Sequence, residues 1–258
     1  GADLSKANLG LAQITRAKAD GALLSEAILS KAHFTDSSFR GAKLDKADLL
    51  EATFSGTDLS EAVLCSICFL KTDLRGLHLD SADLSKCKFL EVNVSGVDFS
   101  HANLESVTFI KSKGKGVIFS GANMKNACFV QECTFEQADF RRAVLEGANL
   151  RGTRLAGSDF SEARPAGADL SECDLSRARF YRAFARNALF VKANLSEAVL
   201  VSADLMNAIL QKADLSSADL RGANLFQADL AQVHANRQTN FQDANTKKVR
   251  IYPKRILA

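Results

Sequence analysis

Residues 213–225 read ADLSSADLRGANL, with Leu215, Leu220 and Leu225 at every fifth position, each preceded by Asp or Asn and, one earlier, by Ala. An amphipathic helix repeats its apolar residues every ~3.6 positions and a strand every second one. A period of five suits neither, so the backbone has to change direction once in every repeat. Followed backward, the frame holds from Leu230 to Phe135 and then slips, because Phe135 follows Phe129 at a spacing of six in FVQECTF. The earlier frame continues from Phe129 through Ile14 and Leu9 to Leu4. A period held over nearly the whole chain marks a repeat architecture and leaves few residues for a second domain.

Within each repeat the residue two before the centre is small, as at Ala2, Ala7, Ala42, Ala143, Ala193 and Ala218. The other three positions are mainly Asp, Asn, Ser, Lys, Arg, Glu and Gly. Two residues in five therefore look inward, one large and one small, and three look outward. A corner every five residues satisfies this, and four corners close a square coil. Gly41, Gly56, Gly76, Gly96, Gly121, Gly147, Gly152 and Gly222 all stand two after a centre, where a turn needing positive φ would put glycine. Residues one coil apart should then stack. Phe69, Phe89, Phe109 and Phe129 form one such column, and Phe99 and Phe119 start another two faces away. The second column continues through Phe140, Phe160 and Phe180 if the extra residue at 130–134 is bulged out without loss of phase.

The A(D/N)LXX pattern over residues 2–230 resembles the pentapeptide repeat family. The resemblance implies an all-β fold, a right-handed quadrilateral β-helix. At about 4.8 Å per coil, about 11–12 coils give a rod of roughly 55 Å. The expected organisation is a β-helix over residues 1–232, with a one-residue register insertion near 130–134, and a C-terminal capping segment over 233–258. That segment carries Phe241, Val249, Ile251, Tyr252 and Ile256 as its apolar residues. The chain opens at Gly1 already inside the repeat and reads as a domain cut from a longer protein. Its first coil needs a cover, since open strand edges invite aggregation.

Four centres carry the wrong residue: Ala19, Gly114, Pro165 and Ala185. Gly114 lies in KSKGKG among Lys111, Lys113 and Lys115, which reads as a distorted corner with solvated lysines or as a small basic loop. Pro165 and Ala185 are one coil apart and predict a local dent, or a shallow pocket. Ile67, Leu77, Val92, Val97, Val107 and Val117 enlarge the small inner position, which is first a matter of packing.

Outward positions carry the functional expectation. One after the centre, Leu50, Leu70, Leu90, Ile110 and Val130 stack on five successive coils, an apolar stripe of the kind monomers seldom expose. Beside it Glu51, Lys71, Glu91 and Lys111 alternate in sign. A second cluster comprises Tyr181, Phe184, Leu189, Val191, Val199, Val201, Met206, Ile209 and Phe226, with Arg177, Arg179, Arg182 and Arg186 close by. Aromatic and Arg side chains together favour protein interfaces.

Catalytic chemistry finds no constellation. Cys87, Cys133 and Cys173 fall at the small inner position as small hydrophobes. Cys65, Cys68 and Cys128 point outward, and the CSIC formed by Cys65 and Cys68 has no second pair. No nucleophile and base surround His78 and His101, and neither a phosphate loop nor a metal cluster is present. The sequence therefore calls for no enzyme activity, cofactor or metal. Free thiols point to a reducing compartment, hence the cytoplasm, and no run of about 18 apolar residues can span a membrane.

Some pentapeptide repeat proteins protect DNA gyrase with acidic rods that resemble duplex DNA. Net charge here is +3; the tail from Val233 holds six basic residues and one acidic, leaving the coils near neutrality. DNA mimicry needs dense negative charge, and direct nucleic-acid binding needs a continuous basic groove. The expectation is a rigid rod that binds a protein partner or an upstream domain. Its ending, DLRGANLFQADL…VRIYPKR, resembles bacterial two-part proteins associated with type VI secretion. A gyrase- or topoisomerase-binding inhibitor is the alternative, and a secreted bacterial effector a third.

Overall fold

The computed structural model describes residues 2–251. The chain is a right-handed, four-sided β-helix, with no α-helix among the described residues, held together by parallel pairing between consecutive coils. One ladder of bridges climbs through Asp3, Leu23, Lys43, Val63, Asp83, Asn103, Asn123, Val144 and Arg164, and equivalent ladders run on the other three faces.

The corner repeats at every pentapeptide. The carbonyl of the centre accepts the N–H three residues on, as in Ala7 N to Leu4 O at 3.0 Å. The residue two after the centre has positive φ, +60° at Lys6 and +64° at Gly41. Positive φ at that place is the mark of a type II turn. Non-glycine residues accept it at corner after corner, although a left-handed residue costs about 1–2 kcal/mol. Most corner N–H groups are in turn satisfied by the next coil, as in Lys6 N to Ser25 O at 3.0 Å.

Among the described residues seven short strands interrupt this pattern. β1 (Gln13–Thr15), β2 (His33–Thr35) and β3 (Thr53–Ser55) form one parallel sheet. β4 (Cys68–Leu70), β5 (Lys88–Leu90), β6 (Thr108–Ile110) and β7 (Cys128–Val130) form a second on an adjacent face. In these repeats the backbone stays extended past the centre and the internal turn bond is absent. A small polar residue at the following inner position takes over. Ser37 Oγ donates to Ile14 O at 3.2 Å and accepts Ala17 N at 3.0 Å. Ser112 does the same, donating to Phe89 O at 3.0 Å and accepting Val92 N at 3.3 Å.

Phenylalanine columns fill the interior. Phe69, Phe89, Phe109 and Phe129 stack with centroids 5.0, 4.7 and 5.0 Å apart. Phe99, Phe119, Phe140, Phe160 and Phe180 stack at 5.4, 5.1, 4.6 and 4.7 Å. The columns meet edge-to-face across the tube, Phe89 against Phe99 at 6.2 Å. The second column passes the insertion unbroken. Gln131 and Glu132, with φ +58° and +62°, absorb the extra residue as two consecutive left-handed corners. Beyond them the bridges step by 21 residues for one coil, from Lys113↔Thr134 to Cys128↔Asn149, and then return to 20.

Gly114 occupies the inward centre that its frame assigns, but the corner beside it is not distorted: it is Gly116 with φ +64°, like the other glycine corners. A Cβ on Gly114 would lie 2.7 Å from Phe135 and 2.8 Å from Val94. Phe135 fills this space, packing edge-on against Phe109 and Phe129 at 5.3 and 5.0 Å. The enlarged inner residues Val92, Val97, Val107 and Val117 are all buried around these reduced centres.

The chain also holds its coil beyond Leu230. His234, Asn240, Asn245 and Arg250 bridge to Asp214, Asp219, Asn224 and Asp229, with one six-residue step between His234 and Asn240. Phe241 and Val249 pack on the core, Arg250 pairs with the buried Asp229, and Ile251 is exposed. Tyr252 and Ile256 lie outside the described residues. At the other end Leu4 and Leu11 are exposed and Leu9 and Ile14 only half-buried.

The inner cysteines are hydrogen-bonded thiols. Cys87 donates to Leu64 O at 3.0 Å and Cys173 to Leu150 O at 2.9 Å. Burial pushes both thiols up to about 12.

Two outcomes follow from this packing. Gly114→Ala should destabilise the fold by about 1–3 kcal/mol through overpacking, measured by denaturant unfolding, and Phe135→Leu in the same chain should recover most of the loss. Iodoacetamide at mildly alkaline pH should modify exposed Cys68 in the native protein and reach Cys87 and Cys173 only after denaturation. Native-state modification of Cys87, seen by mass spectrometry, would contradict the thiol placement.

Candidate protein-binding faces

Outward side chains fall into columns because the backbone bonds hold residues one coil apart in register. On the face carrying β4–β7 the pairing places Leu70 beside Leu90, Leu90 beside Ile110 and Ile110 beside Val130. These four are half-buried. Each is the third residue of a strand, where extended backbone suits aliphatic and β-branched side chains. Leu50 precedes them in the same column but lies in a turn, closed by Ala52 N to Leu49 O at 3.1 Å, and it is 38% exposed. No bridge joins Asp48 to Cys68, because the extended sheet changes face between these coils. The in-register stripe is therefore Leu70, Leu90, Ile110 and Val130, with Leu50 at its margin.

Corner charges pair along the adjoining column, Lys31 with Glu51 at 3.7 Å and Lys71 with Glu91 at 3.9 Å. Such exposed pairs contribute a few tenths of a kcal/mol and reinforce register. Past Val130 the insertion opens a depression of about 710 Å³ lined by Lys111, Gln131 and Glu132.

The second cluster divides among faces. Leu189 and Val191 share the face of the stripe, several coils later, and are half-buried. Phe226 lies half-buried under Lys248, whose Nζ is 5.5 Å from its ring centroid. Tyr181 and Phe184 flank one corner, and Phe184 is 49% exposed. Sequence reasoning named Arg182 and Arg186 near Phe184 but missed Arg142, Val144, Glu162 and Arg164. Val144 and Arg164 stack beneath it, and Arg142, Glu162 and Arg182 line the adjoining corner around one depression. Reading the columns on both sides of that corner together would have found them.

Pro165 and Ala185 are buried beneath this region. The ladder has no bridge from Arg164 to Phe184, as expected where proline supplies no N–H. Over the dent lies a second depression of about 320 Å³ lined by Glu146, Arg164, Ala166, Phe184 and Arg186. Neither Pro165 nor Ala185 lines it.

Among the described residues no group of three His, Cys, Asp or Glu side chains is placed to hold a metal ion. No described helix is long and apolar enough to cross a membrane.

Comparison with solved structures finds similarity to HetL, a pentapeptide repeat protein involved in heterocyst differentiation regulation from the cyanobacterium Nostoc sp. strain PCC 7120. Identity is 26%, over 95% of this chain and 87% of that one, with a TM-score of 0.26. The plasmid-mediated fluoroquinolone resistance protein QnrB1 is 18% identical over 90% of this chain and 89% of its own, with a TM-score of 0.46. A search of curated protein sequences gives no match. The profile described as pentapeptide repeats matches in eight copies, at residues 1–30, 32–69, 57–96, 67–105, 93–131, 130–164, 155–190 and 188–227. With nearly every coil matched and the four-sided β-helix in place, the chain belongs to the pentapeptide repeat family.

Proposed function

We propose that this β-helix is a non-catalytic, rigid protein-binding rod whose principal contact is the aliphatic stripe Leu70, Leu90, Ile110 and Val130. The observation that carries this reading is the register: four aliphatic side chains repeat at the spacing of one parallel sheet, on coils whose other outward positions are mainly polar. Backbone pairing on both sides fixes their spacing before any partner arrives, so little ordering entropy is lost on binding. The occupant is a protein with a complementary apolar strip, an adjoining domain of a longer chain or a separate subunit. The C-terminal ending favours a bacterial, type VI secretion-associated setting in the cytoplasm. Near-neutral coils argue against the DNA-mimic alternative, because a counterfeit duplex needs a dense row of negative charge.

Replacing Leu70, Leu90 and Ile110 with Thr keeps strand propensity and removes the apolar surface. The variant should retain its thermal midpoint within a few degrees and lose the partner in pull-down. Unchanged partners and unchanged mass by light scattering would remove the stripe as an interface. In a gyrase supercoiling assay the wild-type protein should not inhibit at low micromolar concentration, and inhibition there would restore the DNA-mimic reading.

A further inference from the structure

Departures from the repeat concentrate around Phe184. The position before a centre normally holds Asp or Asn, whose side-chain oxygen accepts the N–H two residues on. Asp204 accepts Met206 N at 3.3 Å and Asn224 accepts Phe226 N at 3.2 Å. Phe184 occupies that position, forgoes the bond, and leaves half its ring in solvent. Below it the centres are Ala185 and Pro165 in a column otherwise built of Leu and Met as far as Leu225. The carbonyl of Phe184 accepts no backbone hydrogen bond from the coil beneath. A local rule broken with no internal compensation is the mark of a surface kept for another purpose.

Four guanidinium groups surround the ring, and two are already paired. Arg142 Nε bonds Glu162 Oε2 at 2.8 Å, and Arg186 Nε bonds Asp204 Oδ2 at 2.5 Å. Among the described residues Arg164 and Arg182 make neither an ion pair within 4.0 Å nor a side-chain hydrogen bond, the nearby Glu162 and Asp204 being paired with Arg142 and Arg186. Each instead lies over an aromatic ring, Arg164 5.7 Å from the centroid of Phe184 and Arg182 5.2 Å from that of Tyr181. A stacked guanidinium keeps its N–H edge in water and has already lost part of its rotamer freedom. Arg164 and Arg182 also bound the same depression, of about 570 Å³, whose apolar wall is Val144 and Phe184.

We propose that this corner is a second binding site, for an acidic segment of a protein partner that sets carboxylates on Arg164 and Arg182 and an apolar side chain against Phe184 and Val144. A bidentate carboxylate matches the free edge of each guanidinium, and the exposed ring supplies the desolvated contact around which such pairs bind well. Glu146 and Glu162 line the same surface. They would repel a continuous row of phosphates and leave room for spaced carboxylates, so a protein segment fits and a nucleic-acid strand does not.

The probe is a random dodecapeptide display library panned on the wild-type chain. Recovered peptides should carry at least two Asp or Glu residues beside an apolar one. Their affinity should fall about tenfold or more in the Arg164→Gln, Arg182→Gln double variant and in Phe184→Asn, and should weaken with salt. Phe184→Asn restores the side chain that closes the local turn, so its thermal midpoint should equal or exceed that of the wild type. Loss of binding in that variant therefore reports the site rather than unfolding. The proposal is overturned if no recovered peptide responds to these substitutions, if the responding peptides lack acidic residues, or if duplex DNA binds in an Arg164-dependent way while acidic peptides do not.

Discussion

Backbone hydrogen bonds between coils hold residues 20 apart at one position on the perimeter of the tube, each one coil above the last. That constraint makes columns of everything else. A single Phe in one coil is a core residue; Phe140, Phe160 and Phe180 one above another at 4.6 and 4.7 Å are a continuous stack. The same register turns isolated surface residues into features: Leu70, Leu90, Ile110 and Val130 are each 20 residues from the next in sequence, yet neighbours in the sheet. Asn ladders extend it to polar side chains, with Asn103 Nδ2 on Asp83 and Asn123 Nδ2 on Asn103 at 3.0 and 3.1 Å.

Register explains how the chain tolerates so many left-handed corners. The conformational cost of a residue such as Glu26 at φ +58° is local, about 1–2 kcal/mol. The return is collective, because a corner out of place would break backbone bonds to the coils on both sides and misalign a Phe or Leu column. Removing one buried Phe from such a column costs about 3–5 kcal/mol in ordinary cores. A slip would displace several at once. The insertion at Gln131 and Glu132 shows the permitted alternative: an added residue is accepted when it forms another corner and leaves the columns in phase.

The period, the inward Phe columns and the insertion were legible in the sequence because each is written in large apolar residues at fixed spacing. The C-terminal coil was not, because its inward centres include Ala235 and Thr246, which carry no such signal. Its pairing rests on backbone bonds, Asn240 N to Ala218 O at 2.9 Å and Asn245 N to Ala223 O at 2.9 Å, and any side chain permits those. The six-residue step is closed by Asn236, whose Oδ1 accepts Ser217 N and Gln238 N at 3.0 Å each. Gly114 was placed at its centre but left unexplained for a related reason. Its role belongs to Phe135 in the next coil, which occupies the volume a side chain on Gly114 would need.

The two proposed faces differ in what the repeat itself can explain. Leu70, Leu90, Ile110 and Val130 sit where extended backbone already favours aliphatic side chains, so local structure accounts for part of their character and the case rests on their alignment. Phe184 has the opposite standing. Its backbone position calls for Asp or Asn, its ring is not buried, and the proline below it removes a coil-to-coil bond. Every local preference is set aside there, and Arg164 and Arg182 stand stacked on rings beside it. A solenoid can carry such a site because its stability is a sum over neighbouring coils. Weakness at one level, bounded by well-packed Phe160 and Phe180, stays local, and the face above it is free to be shaped for a partner.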